Sequence, residues 1–388
     1  MTTRALFTPL QIRGVRLPNR IGVSPMCMYA SEDGFATDFH IAHLGRFAMG
    51  GAGLVIAEAT SVTPEGRISV ADLGIWMDEH VPGLARVAAL VKSQGAVPGI
   101  QLGHAGRRAA VREPWRAGAP LDETDAATGT PPWEIVAPAG LPVGPGHQVP
   151  RELSSIEVAN LVGAFAQGAR RAVDAGFEFI DLHGAHGYLL HSFLSPLSNR
   201  RDDEWGGDAE RRLRFPLEVI RAVRREIGDL ALGYRISAVD GYPGGLELSD
   251  AVAFATRARE AGVDLVDVSS GGISTDRSTD TRVRRRYGFH ADFSHEVRNT
   301  AGGPVASVGL IVDPEQAALM IDHGDADVVL LGREMLENPS WALHAEVALG
   351  AELPLRGDVR INWPLAPRRG LFTKLAEEGD SPLRRFRD

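Results

Sequence analysis

One cysteine, Cys27, stands among 388 residues, so no intrachain disulfide can form and a cysteine-ligated iron–sulfur cluster within the chain is excluded. Long apolar runs are missing as well. No stretch approaches the roughly 18 consecutive apolar residues that a membrane-spanning helix needs, and the opening MTTRALFTPL lacks the apolar segment of a secretory signal. A soluble, cytoplasmic protein is expected. Surplus positive charge is also absent: 41 Lys and Arg against 50 Asp and Glu leave a net charge of -9, which argues against a sequence-independent grip on nucleic-acid phosphates. Hydrophobic residues make up 44% and charged ones 23%, the balance of a globular chain with a sizeable core.

What is present is a regular alternation. Short β-branched or apolar runs ending in Gly, Ser or His are separated by amphipathic stretches, the βαβ signature. The runs predict eight strands: Ile21 to Met28, Leu54 to Val62, Val97 to His104, Phe177 to Gly184, Ala231 to Asp240, Leu265 to Gly272, Pro304 to Val312 and Asp327 to Met335. Eight such units predict an α/β fold, a closed (β/α)8 TIM barrel, and barrels with insertions run to this length as one domain. Helix starts are signalled by Ser154 or Ser155, by Ser249, and by Asp313 with Pro314. Thr8 to Arg20 reads as a hairpin capping the barrel bottom, because Leu10, Ile12, Val15 and Leu17 need burial. The Pro- and Gly-rich stretch from Ala105 to Pro150 follows strand three and is expected to be a lid or binding loop. Residues 1–350 are then expected to form the barrel, and 351–388 either a C-terminal arm packed on it or on a neighbouring subunit, or a loose tail.

Polar and reactive residues gather just past the strand ends, as at the C-terminal face of a barrel enzyme. SVGLIV and LLGRE offer the glycines Gly309 and Gly332 and the planar guanidinium of Arg333, which together suit a phosphate. These residues alone leave open which phosphorylated ligand binds. His183 and His186 follow strand four at i, i+3 and can face one pocket. Metal binding, with His104 or His191 as third ligand, competes there with hydrogen bonding to a substrate and with a structural role.

SPMCMYA, EATSVTPEGR, IQLGHAGR, HGAHGYLLHSFLSPLSNRRDDEWGG and LLGRE occur in the order and spacing of the old yellow enzyme family. The chain resembles most the branch of thermophilic-type ene-reductases and xenobiotic reductase A, from Leu6 to Leu349. The resemblance implies bound FMN, with NADPH or NADH as hydride donor in alternating half-reactions. It places Ser24, Pro25, Met26 and Cys27 along one side of the flavin, and Ala59 and Gln101 at its polar edge. Arg235 would sit beside the charge that develops on reduction, and Gly309, Gly332 and Arg333 at the phosphate. His183 and His186 would hold the oxygen of an enone, maleimide or nitro substrate, Tyr188 would donate a proton, and Tyr29 would contact the substrate. Arg369 or Trp363 of the arm would enter its own or a neighbouring pocket, and a homodimer or homotetramer is implied. Two other readings stay open: a non-catalytic FMN-binding or redox-sensing barrel, and a metal-dependent barrel hydrolase using the histidine pair.

Overall fold

The structure, a computed structural model, describes residues 4–275 and 283–350 with scattered positions between 363 and 379. Eight parallel strands close into a barrel. They are β1 (Ile21–Val23), β2 (Leu54–Ser61), β3 (Val97–Gly103), β4 (Phe179–Gly184), β5 (Ala231–Ser237), β6 (Leu265–Ser269), β7 (Val305–Val308) and β8 (Val328–Leu331). Closure is made by β8 on β1, with Val329 opposite Ile21 and Leu331 opposite Val23. These are the eight predicted strands; seven end earlier than expected, while β4 ends at Gly184 as predicted and starts two residues later. At β1 the chain runs into Pro25, which has no N–H for a ladder. At β5 the Ser237 hydroxyl leaves the sheet pattern and donates to Gly271 O at 2.9 Å. Most of the overhanging residues are therefore loop, those after β8 opening the short helix Arg333–Glu337, and they form the rim of the barrel's C-terminal face.

The hairpin is where the apolar pattern predicts it. Leu10–Ile12 pairs antiparallel with Val15–Leu17, and Ile12, Val15 and Leu17 pack against Leu54, Phe179, Leu265 and Val328, the first residues of β2, β4, β6 and β8. That closes the bottom of the barrel and leaves only the other end for chemistry.

Two predicted helix starts hold. Ser154 caps Ser155–Asp174 in a capping box with Glu157, and Asp313 accepts from the Glu315 and Gln316 amides ahead of Pro314–Asp322. The third is corrected: Ser249 lies inside Leu248–Ala261, and Glu247 is the cap. The Asp250 carboxylate accepts the Glu247 N–H at 2.9 Å, closing a box two residues before the serine.

The long connection after β3 is partly ordered by short elements, a helix at Glu123–Ala126 and a two-residue strand Val136–Ala137 beside Arg151–Glu152. It is clasped to the loop after β6. Arg107 donates to Pro142 O at 3.2 Å and to Ile273 O, and Arg108 donates to Gly272 O at 2.7 and 3.0 Å. In return, the Thr275 N–H and the Ser274 hydroxyl donate to Val143 O at 3.0 and 3.1 Å. Most of 351–388, including Arg369, lies outside the described residues, while Trp363 is exposed. No helix among the described residues is long and apolar enough to cross a membrane.

Candidate active site

The alternation of side chains along a strand explains how the site is stacked. On β4 the inward series is Phe179, Asp181, His183; on β5 it is Ala231, Gly233, Arg235, Ser237; on β6 it is Leu265, Asp267, Ser269. Each runs from an apolar floor, through a middle layer of acids and a glycine, to a functional rim. Gly233 matters in that middle layer, because a Cβ there would lie 2.6 Å from Asp181 Oδ1.

In the middle layer Gln101 donates to Asp181 Oδ2 at 2.7 Å. Arg235 reaches Asp267 Oδ2 with Nε at 3.1 Å, off the line of a straight hydrogen bond, and Ser24 Oγ with Nη1 at 3.3 Å. Asp181 and Asp267 are both buried. Burial first, and then the neighbouring Asp267, pushes the Asp181 carboxyl up to about 8, while burial also raises Asp267 against the pull of Arg235. The single guanidinium thus stands over two buried acids that resist ionising together.

At the rim, His183 and His186 face each other with ring nitrogens 3.4 Å apart. His183 Nδ1 accepts the Ala185 N–H at 3.4 Å, which leaves the proton of a neutral ring on Nε2, towards His186. His186 Nε2 is 2.7 Å from Ser269 Oγ, a hydroxyl that can either donate or accept. Burial, reinforced by Arg235, holds both imidazoles well below their usual range, so both are neutral at working pH. The Tyr188 ring stands edge-on to His183 with centroids 4.6 Å apart. Burial raises its hydroxyl pKa, as does the Cys27 thiol beside it.

Tyr188, Cys27 and Tyr29 share one small apolar cluster with Ile68 and Ala105. Tyr29 takes a left-handed backbone (φ 55°), and Trp115 packs edge-on against it at 5.8 Å. Burial, then Glu58 and Asp72, keeps the Cys27 thiol protonated. Its loop is held by Glu58, which a bulge in β2 turns towards β1 so that it accepts the Met28 N–H at 2.8 Å and lies 3.4 Å from His40 Nε2. The same bulge sets Ala59 beside Gln101. Met26 approaches Gly332, where a Cβ would be 3.5 Å from its sulfur, and Pro25 is half-buried. Gly309 has φ 124° and backs onto Phe289 and His290. Arg333 is exposed, with no side-chain bond to any described residue.

A cavity of about 840 Å³ opens beside His186, lined also by Arg108, Tyr242, Ser269, Ser270 and His290. Gly309, Gly332 and Arg333 do not line it. His183, Tyr188 and Ala59 border a separate gap of about 10 Å³. Among the described residues no group of three His, Cys, Asp or Glu side chains is placed to hold a metal. His104 is committed by accepting the Gly106 N–H at 3.0 Å.

Sequence reasoning passed over Asp181, Asp267, Ser237, Ser269 and Arg108. A charge in an otherwise apolar strand, two residues before a rim residue and hence on the same face, is the signal that points to the two acids.

A family model described as NADH:flavin oxidoreductase / NADH oxidase matches residues 5–352. The chain is 44% identical over 360 residues to an NADPH dehydrogenase of Geobacillus sp. (strain WCH70), covering 92% of this chain and 98% of that one. It is 40% identical to an NADPH dehydrogenase of Bacillus subtilis (strain 168), covering 93% and 99%. Among solved structures, morphinone reductase superposes with a TM-score of 0.73 at 26% identity, covering 91% of this chain and 92% of that one. With its barrel closed in the same way and the match running through every strand, this chain belongs to the NADH:flavin oxidoreductase / NADH oxidase family, the old yellow enzyme family, and is an FMN-dependent oxidoreductase.

Proposed function

We propose that the chain reduces the activated C=C bond of enones, maleimides or nitroalkenes, with NADPH, the donor in its relatives' names, or NADH as reductant. The observation that carries this is the pair of neutral imidazoles 3.4 Å apart at the rim of the barrel, with the Tyr188 ring beside them. The residues present suit FMN. Arg333 is an exposed, uncommitted guanidinium for a phosphate, Arg235 is a buried cation for a reduced ring, and Gly332 leaves its neighbourhood open. Gln101, Ala59 and Ser24 to Cys27 would hold the ring, and Gly309 and Gly332 would join Arg333 at the phosphate.

FMN, once reduced, supplies a hydride for the substrate's β-carbon. A substrate oxygen lying about 2.9 Å from both ring nitrogens takes His183 Nε2–H as one donor. His186 becomes the second by carrying its proton on Nδ1, with Nε2 then accepting from the Ser269 hydroxyl. The two donors withdraw electrons from the double bond and stabilise the enolate, as in an oxyanion hole. Tyr188, kept protonated by its raised pKa, donates to the α-carbon, so one hydride and one proton saturate the bond. Tyr29 and Trp115 bound the substrate on the lid side.

Purified protein should show a flavin absorbance band that bleaches anaerobically with NADPH and returns on adding 2-cyclohexenone. A band that bleaches but does not return would favour a redox-sensing barrel instead. Tyr188→Phe should slow reoxidation by the enone about 10- to 100-fold, at or below the low end for a general acid because water can substitute, while bleaching by NADPH stays unchanged. Equal slowing of both half-reactions in stopped flow would remove Tyr188 from the proton step.

A further inference from the structure

His191 belongs to no step above, yet it is fully buried eight residues beyond His183. Its Nδ1 accepts the Gly187 N–H at 2.8 Å. Its Nε2 lies 2.9 Å from Asp240 Oδ1, bent away from a straight hydrogen bond. A nitrogen that accepts carries no proton, so the proton of the neutral ring sits on Nε2, facing the carboxylate. Asp240 is itself held from other sides, its Oδ2 accepting the Ser195 hydroxyl at 2.6 Å and the Leu246 N–H at 2.8 Å. Burial works to raise its carboxyl, but the His191 ring, the Ser195 hydroxyl and the Leu246 amide more than offset that and hold it below the usual range.

The group that His191 grips is the centre of the catalytic turn. His186 and Gly187 are consecutive left-handed residues, with φ 60° and 76°, a conformation a histidine adopts only at a cost. The turn is tied to its surroundings at two successive amides. The His186 N–H donates to Ser237 Oγ at 3.0 Å, and the Gly187 N–H to His191 Nδ1. Gly272 backs onto it so closely that a Cβ on Gly272 would lie 2.4 Å from His186 Cα. Loss of either amide partner leaves a buried N–H unsatisfied in a backbone that already prefers to relax.

We propose that His191 is a positioning residue: through the Gly187 N–H it holds the left-handed turn that aims the His186 imidazole, and Asp240 fixes the ring tautomer that makes this possible. The inference rests on His183 and His186 being the oxygen-binding pair. A purely structural role, satisfying the buried Asp240, would use the other nitrogen, so the two roles separate by substitution. In His191→Asn the amide oxygen stands near the place of Nδ1 and keeps an acceptor for Gly187, but the reach to Asp240 is lost. In His191→Gln the amide reaches Asp240 and leaves Gly187 without a partner.

The test is titration of the FMN-loaded proteins with 4-hydroxyacetophenone, read by flavin absorbance, with FMN content and urea midpoint measured on the same samples. His191→Asn should bind within about threefold of wild type, while His191→Gln and His191→Leu should weaken at least tenfold at equal FMN content. The urea midpoints should fall in the opposite order, Asn below Gln. Equal weakening in Asn and Gln, or tighter binding by Gln, overturns the proposal. A wild type that binds no phenol overturns the histidine-pair reading and this inference with it; a wild type that binds while the variants fail to separate overturns this inference alone. Should the variants not fold, ¹⁵N-imidazole spectra of the wild type decide: a protonated His191 Nδ1 is incompatible with the role, and an unprotonated Nδ1 with a protonated Nε2 supports it.

Discussion

His183→Ala and His186→Ala are each expected to retain FMN, to lose measurable binding of phenolic ligands, and to slow enone reduction about 10²- to 10³-fold, the effect of removing one donor from a developing oxyanion. A phenolate carries its charge on an oxygen in the way the substrate enolate does, so its affinity reports the same two donors as the transition state. Because the two rings share one oxygen and touch each other at 3.4 Å, the double variant should fall short of the product of the single effects. The direction of their pKa shifts adds a second signature. Both rings resist protonation, so neither should titrate between pH 6 and 8, and phenol affinity should rise across that range only as the ligand itself ionises. Unchanged enone kinetics in both single variants would end the assignment, as would a pH inflexion near 6.5 that disappears in His183→Ala.

Arg235→Ala should produce the largest change at the cofactor. A charge-assisted contact between its guanidinium and a reduced ring, as proposed, would be worth about 1.5–3 kcal/mol, or roughly 30–65 mV for a two-electron couple, so the potential should fall by that amount and FMN should be retained less tightly. The substitution also removes the cation facing Asp267 and influencing Asp181, and breaking a buried ion pair from one side costs about 3–5 kcal/mol. The two consequences separate in the double variant Arg235→Ala with Asp267→Asn. Stability should recover there because no buried carboxylate is stranded, whereas the potential should stay low because the cation is still missing. Spectroelectrochemistry and urea unfolding check the two halves, and a wild-type potential in Arg235→Ala would refute the electrostatic role.

The eight strands were legible because the barrel buries them on both sides and β-branched runs leave little ambiguity. Apart from that of β4, their ends were not, since Ser24, Ser237 and Ser269 continue the apolar rhythm only until their hydroxyls find partners outside the ladder. Ser249 misled because a serine before an acidic, apolar run looks like a cap, and only geometry shows Glu247 and Asp250 closing the box first. The histidine pair and Tyr188 could be located because they lie within one short segment. Asp181 and Asp267 each carry a signal, a charge in an apolar strand, but that they form one layer could not be read, because they are 86 residues apart in the chain and meet only when the barrel closes. In the sequence His191 reads as a possible metal ligand, and its actual partners, an amide four residues back and a carboxylate after β5, depend on a left-handed turn that periodicity does not encode.

The two neighbouring arginines of the GHAGRR segment join their own loop to one 164 to 166 residues further along the chain, ending on Pro142, Gly272 and Ile273. For anyone altering this barrel, the loops after β3 and β6 are in effect a single replaceable part. A transplant of the first alone would leave the carbonyls of the second without their donors, and its new substrate wall would rest on a foundation cut for a different one.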